Sequence, residues 1–475
     1  MSNSNDRKPL EIESAQASPT TIPTDEASDD CIAEVNEIPH DVDESDDPTI
    51  GFLLDCVERG ENRGNQRPPS ICKVSRILRD HNESSYEPQL VSIGPIHREN
   101  KKLQEFKLRK KDYYQGLLNR CGVSKRKLEA CLLKVNTLIP RIRESYAGMI
   151  ENYNDDKIVT MMVMDGCFIL EFCFKHEEEN LYLPIKIENL RVAMDLMLLE
   201  NQVPFFVLQA LFDCFLTEVS FTLSKLLDVC LAPYVELFSL PSSVDSNFSV
   251  IDVDSDSTDH KHLLGYMHKR YQLAAAKSSN PNHGEASIPP IKNAVEVDRS
   301  WVKFKPHQED VWSMIIKFQS SSLPWFWSKP NLLMPKLVMQ DRTELILRNF
   351  IAYEQLILHN SYYFTSYAVA MDELIDSQQD IAKLVNSRVL VNLLGSDQEA
   401  ADMINKICKN VIIADFCYSE VFKQMDTYCN RFWPKHMAFL RRVYFSNPWT
   451  AIALLAAFIL FGLTMTQTIF TIKAA

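Results

Sequence analysis

Seven polar residues stand inside apolar runs of this chain: Asp165 and Glu171 in MVMDGCFILEFCF, Glu200, Asn201 and Gln202 in LMLLENQVPFF, and Asn349 and Glu354 in LRNFIAYEQL. Burial disfavours an ionised carboxyl. A pair of such groups could therefore divide into a general acid with a raised pKa and an ionised base, which is hydrolase-like chemistry. The same residues can instead be structural. A buried carboxylate pairs with a cation such as Arg191 or Arg348, and a side-chain amide takes up the orphan groups of a helix break. Glu200, Asn201 and Gln202 come just before Pro204, which lacks an amide hydrogen and disfavours helix at Val203, so a break belongs there. The structural reading is preferred, because networks of this kind fix one helix arrangement.

Other chemistries find little support. Glycine is scarce, at 12 residues, and neither GxGxxG nor GxxxxGK[ST] occurs. GxSxG and HExxH are absent as well. The 12 cysteines form no CxxC pair and no cluster at zinc spacing. Cys131, Cys167, Cys173, Cys214 and Cys230 sit in apolar runs and read as small buried thiols of a reducing compartment. Asp252, Asp254 and Asp256 suggest a calcium loop, but Ser257 and Leu263 stand where that loop needs Gly and Glu. His260, His262 and His268 lie in or beside a polar loop that cannot hold a metal geometry. No catalytic residue, cofactor or metal is expected.

The elements that must position the seven residues are helices. Residues 1–48 carry 14 Asp and Glu against Arg7 and Lys8, so nearly all of the net charge of -13 belongs to this stretch. It is too polar to bury a core and should be a disordered acidic tail. The body, 70–446, is close to neutral, which argues against nucleic-acid binding. Leu103, Phe106, Lys110, Tyr113 and Leu117 recur at helical spacing, with Gly122 as C-cap and the many Lys and Arg of this helix on a solvated face. A second helix runs from Ser124 and stops at Pro140. Thr160–Phe174 reads as a buried helix interrupted at Asp165-Gly166. A helix from about Asn189 continues through LMLLEN to the Pro204 break. Residues 240–285 read as a mobile acidic insertion. Asn331–Met339 reads as extended, Asp341 and Thr343 open a helix, and Ser396 with Glu399 forms a capping box. The expected fold is mainly α, with few short strands.

Residues 449–472 (WTAIALLAAFILFGLTMTQTIFTI) contain no charge. About 20 such residues, at roughly 1.5 Å each, cross a hydrocarbon core. Trp449 suits one interface and Lys473 the other. This predicts a single C-terminal transmembrane helix, with a lipid bilayer as one partner. Arg431, Lys435, Arg441 and Arg442 precede it, so the positive-inside rule puts the body in the cytosol. The absence of a signal peptide agrees with a tail-anchored chain, with the plasma membrane preferred to the endoplasmic reticulum. Ala453, Ala457 and Gln467 allow lateral association, so a homodimer is one option besides unidentified protein partners.

Several stretches, in order, resemble the plant "domain of unknown function 247" family. They are Tyr86-Glu87-Pro88 leading to VSIGPIH, with Gly94, Pro95 and His97; MDGCFILEF; LLENQVPFFVL; RNFIAYEQ; LLGSDQEAA; and PWTAIALLAA with LTMTQTIFTI. The resemblance covers residues 70–475. Lys73-Val74-Ser75 departs from it where members commonly carry Val-Pro. It implies a mostly helical, membrane-anchored plant protein without assigned biochemistry, some grass members being linked to pollen–stigma recognition. The expected function is non-enzymatic interaction, signalling or recognition at a membrane, with a membrane-bound hydrolase as the alternative.

Overall fold

The computed structural model describes residues 69–146, 148–179, 186–216, 221–235, 237–238, 260–276, 288–307, 314–320, 329–357, 362–413, 415–432, 434–436, 439 and 448–474. All fall in one compact unit, Arg67–Ala475. The acidic tail and most of the acidic insertion lie outside the described residues.

Helices run in this order: α1 (Arg76–Arg79), α2 (Phe106–Arg120), α3 (Lys125–Thr137), α4 (Ile139–Ser145), α5 (Asp155–Glu179), α6 (Ile187–Asp195), α7 (Phe205–Phe215), α8 (Leu223–Val235), α9 (Leu263–Ala276) and α10 (Ala294–Arg299). Four short strands follow: β1 (Lys303–Pro306), β2 (Lys317–Gln319), β3 (Asn331–Met334) and β4 (Leu337–Met339). Then come α11 (Asp341–Leu356), α12 (Tyr363–Leu374), α13 (Gln378–Asn386), β5 (Leu390–Asn392), α14 (Asp397–Ile407), α15 (Ser419–Cys429) and α16 (Pro448–Ala474). The fold is mainly α, as expected. β3 lies between β1, parallel, and β2, antiparallel, so Leu332 faces both Phe304 and Phe318. β4 and β5 pair in parallel, Leu337 against Leu390.

Two helices organise the body. α5 packs against α2, α3, α4, α7 and α8; α11 packs against α6, α9, α12 and α14. One continuous apolar core joins the two groups. A helix buried on every side must be apolar all round, and α5 shows this: Met161, Met162, Cys167, Phe168, Leu170 and Cys173 are all inaccessible to solvent.

Several local expectations are corrected. α5 is continuous through Asp165-Gly166. The Asp165 carboxylate bonds outside its own helix, and Gly166 leaves room for Leu211 of α7. α3 opens after Ser124 and ends at Thr137 as expected, but a new helix follows at once, with Pro140 in the first turn of α4, where its missing amide hydrogen costs nothing. α6 ends at Asp195, not at Asn201. α9 lies inside the span read as a mobile insertion, yet Leu263, Leu264, Met267 and Tyr271 are core residues. Lys110 is buried, not solvated. Gly122, at φ +54°, caps α2 as expected. α11 opens on a capping box between Gln340 and Thr343. At α14, Ser396 accepts the Glu399 amide at 3.1 Å, but the Glu399 carboxylate turns to the Gly395 amide at 3.1 Å.

α16 differs from the rest. Its segment Ile452–Lys473 is long and apolar enough to cross a membrane, and none of it is buried against the protein. Trp449 is 75% exposed on this helix, and Gln467 is exposed as well.

Candidate functional site

The chain from Ile71 to His97 holds little regular structure, so its backbone groups need other partners. Buried side chains of α5 and of the 195–202 connection supply them. Asp195, the last residue of α6, accepts the amides of Gln89, Leu90 and Val91 at 2.7–2.8 Å. Asn201 accepts the Ile93 amide at 2.6 Å and donates to the carbonyls of Val91 and Asp195. Asp165 accepts the Gly94 amide at 2.8 Å and pairs with Lys110, whose ammonium also donates to the Ser92 carbonyl. Gly94 has φ +71°, and a Cβ there would stand 2.5 Å from the Gln202 carbonyl oxygen. Glycine is therefore required at this crossing.

Glu200 closes the same layer from beneath. Its carboxylate accepts the Val74 amide at 2.7 Å and meets Arg79 at 2.5 Å and His97 at 3.0 Å. Arg79 also reaches Glu87 at 3.0 Å. Burial pushes the Glu200 carboxyl up, but His97, Arg79 and the Val74 amide together hold it below its ordinary value. Burial dominates at Asp195 and raises that carboxyl to about 6, against the opposing amides of Gln89, Val91 and Leu90.

Gln202 and Asn201 also explain why α6 stops early. Gln202 donates to the carbonyls of Leu196 and Leu198 at 2.7 and 2.8 Å, and Asn201 takes that of Asp195 at 2.8 Å. The Asp195 carbonyl is the last of α6, and those of Leu196 and Leu198 belong to the connection just beyond it. Pro204 then bridges to His262 and stands as N-cap of α7.

α11 contributes the remaining residues. Asn349 accepts the Leu199 amide at 2.9 Å and donates to the Ser85 carbonyl at 2.7 Å, tying the connection to the turn before Tyr86. Tyr86 and Pro88 are buried there, as is Pro95 beyond Gly94. Arg348 pairs with Glu344 at 2.8 Å and donates to the Lys406 carbonyl. Glu354 lies apart. It meets His268 at 2.7 Å and accepts the Phe364 and Thr365 amides and the Thr365 hydroxyl, at 2.7–2.9 Å. Glu171 likewise stands alone, in a two-point contact with Arg120 at 2.8 and 3.0 Å.

The structure thus brings Gly94, His97, Asp165, Glu200, Asn201, Gln202 and Asn349 around one backbone layer. It leaves Glu171 and Glu354 in pairs of their own. The carboxylates pair with Arg79, His97, Lys110, Arg120 and His268, not with Arg191 or Arg348 as expected. Asp195 was missed, although it too stands in an apolar run, AMDLMLL. The arrangement suits holding backbone, since every oxygen of Asp165, Glu171, Glu200 and Glu354 is already engaged. His262, expected beside a mobile loop, is inaccessible, and burial lowers its ring pKa to about 3. Among the described residues no group of His, Cys, Asp and Glu could hold a metal. The described cysteines are free thiols, and burial pushes Cys131 up to about 12.

Comparison with known proteins finds relatives that cover most of the chain. UPF0481 protein At3g47200 of Arabidopsis thaliana is 27% identical over 411 residues, covering 81% of this chain and 82% of the relative. UPF0481 protein At3g02645 of Arabidopsis thaliana is 23% identical over 488 residues, covering 84% and 89%. No solved structure matches. Residues 71–463 match the family described as plant protein of unknown function, DUF247. The matched span holds Asp165, Asp195, Glu200, Asn201 and Asn349 with the backbone they bind, and the chain belongs to that family.

Proposed function

We propose that this chain is a membrane-anchored, non-enzymatic interaction protein acting in signalling or recognition. The observation that carries the reading is the contrast between body and α16. The body spends its buried carboxylates on backbone amides and cations. α16 leaves Ile452–Lys473 uncovered by any other part of the described protein. Contiguous exposed apolar surface of this extent marks a membrane or a partner, and its length fits a bilayer.

The hydrolase reading needs a buried carboxyl held protonated near neutral pH. Glu200 is shifted the other way, and Asp195, whose carboxyl is raised to about 6, has both oxygens committed to the amides of Gln89, Leu90 and Val91. The two readings separate in plant tissue expressing the tagged full-length chain. The interaction reading expects the protein to stay in the membrane fraction after an alkaline carbonate wash. Removing residues 448–475 then releases a body with unchanged melting, and proximity labelling returns a set of neighbours that depends on the anchor. A full-length chain found in the soluble fraction overturns the anchor. An alanine variant at Glu171 or Glu354 that melts like wild type yet loses all function favours the enzyme.

A further inference from the structure

We infer that a cavity beside the Lys110–Asp165 pair binds a small amphipathic organic anion: an apolar body carrying one carboxylate. The cavity, of about 220 Å3, lies between α2, α5 and the segment from Ser92 to Gln104. Its walls include Leu103, Phe106 and Met164, the first two buried in the body. Small-molecule sites have this character, mostly apolar walls with a few convergent polar groups.

Two polar observations set the head group. Asp165, at the cavity wall, has its charge matched by Lys110 and its second oxygen on the Gly94 amide. The remaining formal charges at the cavity are those of Arg98, Lys107 and Lys111. None of these three makes an ion pair among the described residues, and both lysines are exposed on α2. The mouth is therefore cationic and the interior apolar. An inorganic anion leaves Leu103, Phe106 and Met164 unmatched; a neutral hydrocarbon leaves the cations unused. An apolar carboxylate satisfies both. Asp165 and Gly94 belong to the layer that orders residues 89–97, so occupancy stabilises that layer. The inference goes beyond the interaction reading and does not depend on it.

The test uses the full-length chain in lipid nanodiscs, with empty nanodiscs as blank. The probes are 2-naphthoate, its neutral analogue 2-naphthamide, the cation 2-naphthylmethylammonium, and inorganic phosphate. 2-Naphthoate should bind about tenfold or more tighter than either analogue, weaken as salt rises, and resist competition by phosphate. Arg98→Gln and Lys107→Gln should each weaken 2-naphthoate several-fold and leave 2-naphthamide unchanged. Met164→Trp, filling the cavity, should abolish binding; the surface charge variants decide the matter should this one fail to fold. Equal binding of all three naphthyl probes, displacement by phosphate at equal concentration, or full binding to a folded Met164→Trp chain overturns the inference.

Discussion

Glu200 links Val74, Arg79 and His97, three points of a segment that has almost no ladder of its own. Removing one member of a buried ionic group leaves the others desolvated and unpaired, at about 3–5 kcal/mol. Glu200→Ala should therefore lose about that much stability by chemical denaturation, and Glu200→Gln somewhat less, since its amide oxygen still accepts the Val74 amide. A pH signature follows. The folded carboxyl titrates below its ordinary value of 4.5. The unfolded chain then binds the proton first, so the Glu200 contribution is complete above that value and is lost as pH falls through the lower, folded pKa. Melting of the wild-type body should fall more steeply than that of Glu200→Gln below about pH 4.5; parallel acid limbs would deny Glu200 this role. A second carboxyl works in the opposite sense. Burial, together with Glu373 and Asp376, raises Asp372 to about 6. Its ionisation opposes folding, so Asp372→Asn should raise the melting temperature above pH 6 and leave it unchanged below pH 4. The residue types in this network are legible in the sequence, because a carboxylate or amide inside an apolar run must find a partner. The partners are not. Lys110 is 55 residues from Asp165, Arg120 is 51 from Glu171 and Arg79 is 121 from Glu200. Lys110 stands in α2 beside Lys107, Arg109 and Lys111, which are exposed, and helical period alone cannot tell the buried one.

At the scale of elements, α5 shows how one glycine sets a helix crossing. Gly166 lies mid-helix, where glycine costs about 1 kcal/mol against alanine. A Cβ at this position would overlap Leu211 Cδ1 on α7, and Leu211 is fully buried. Gly166→Ala should therefore destabilise the body by about 1–3 kcal/mol, despite the better helix propensity. Leu211→Ala alone should cost about 2–5 kcal/mol. If overlap is the cause, the double variant is no less stable than Leu211→Ala alone; additive losses would locate the fault elsewhere. Composition suggests a helix breaker at Asp165-Gly166, and periodicity suggests a helix. Periodicity prevails because the carboxylate is drawn across to Gly94 and Lys110 and does not compete for its own backbone. The same competition decides α6 in the other direction. Nothing in LMLLEN forbids helix, but the amides of Asn201 and Gln202 claim the carbonyls of Asp195, Leu196 and Leu198 and end it a turn and a half early. α9 was illegible for a different reason. Its flanks are polar, and its apolar face becomes meaningful only against α11.

At the scale of the molecule, the proposed anchor carries a prediction about the side of the membrane on which the body lies. Arg431, Lys435, Arg441 and Arg442 form a cationic flank before α16. On the anchored reading such flanking charges are retained on the cytoplasmic side, and the free thiols of the described body suit a reducing compartment. The two acceptor sequons are unequal probes. Asn82 donates to Glu344 at 2.9 Å and accepts the Ser84 hydroxyl at 2.7 Å, so a glycan there would displace bonds of the folded body. Asn247-Phe248-Ser249 lies outside the described residues. The decisive probe is therefore added. An extension after Ala475 carrying an Asn-Gly-Thr acceptor and a spacer should gain an endoglycosidase-sensitive mass increment in plant membranes. Asn82 and Asn247 should remain unmodified in the same molecules, and protease added outside intact cells should leave the body whole. The opposite pattern, with the extension bare and a mass shift that disappears in Asn247→Gln, would place the body outside the cytosol. The partners sought by proximity labelling would then be extracellular, and the cationic cavity beside Lys110 would sample solutes of that compartment instead.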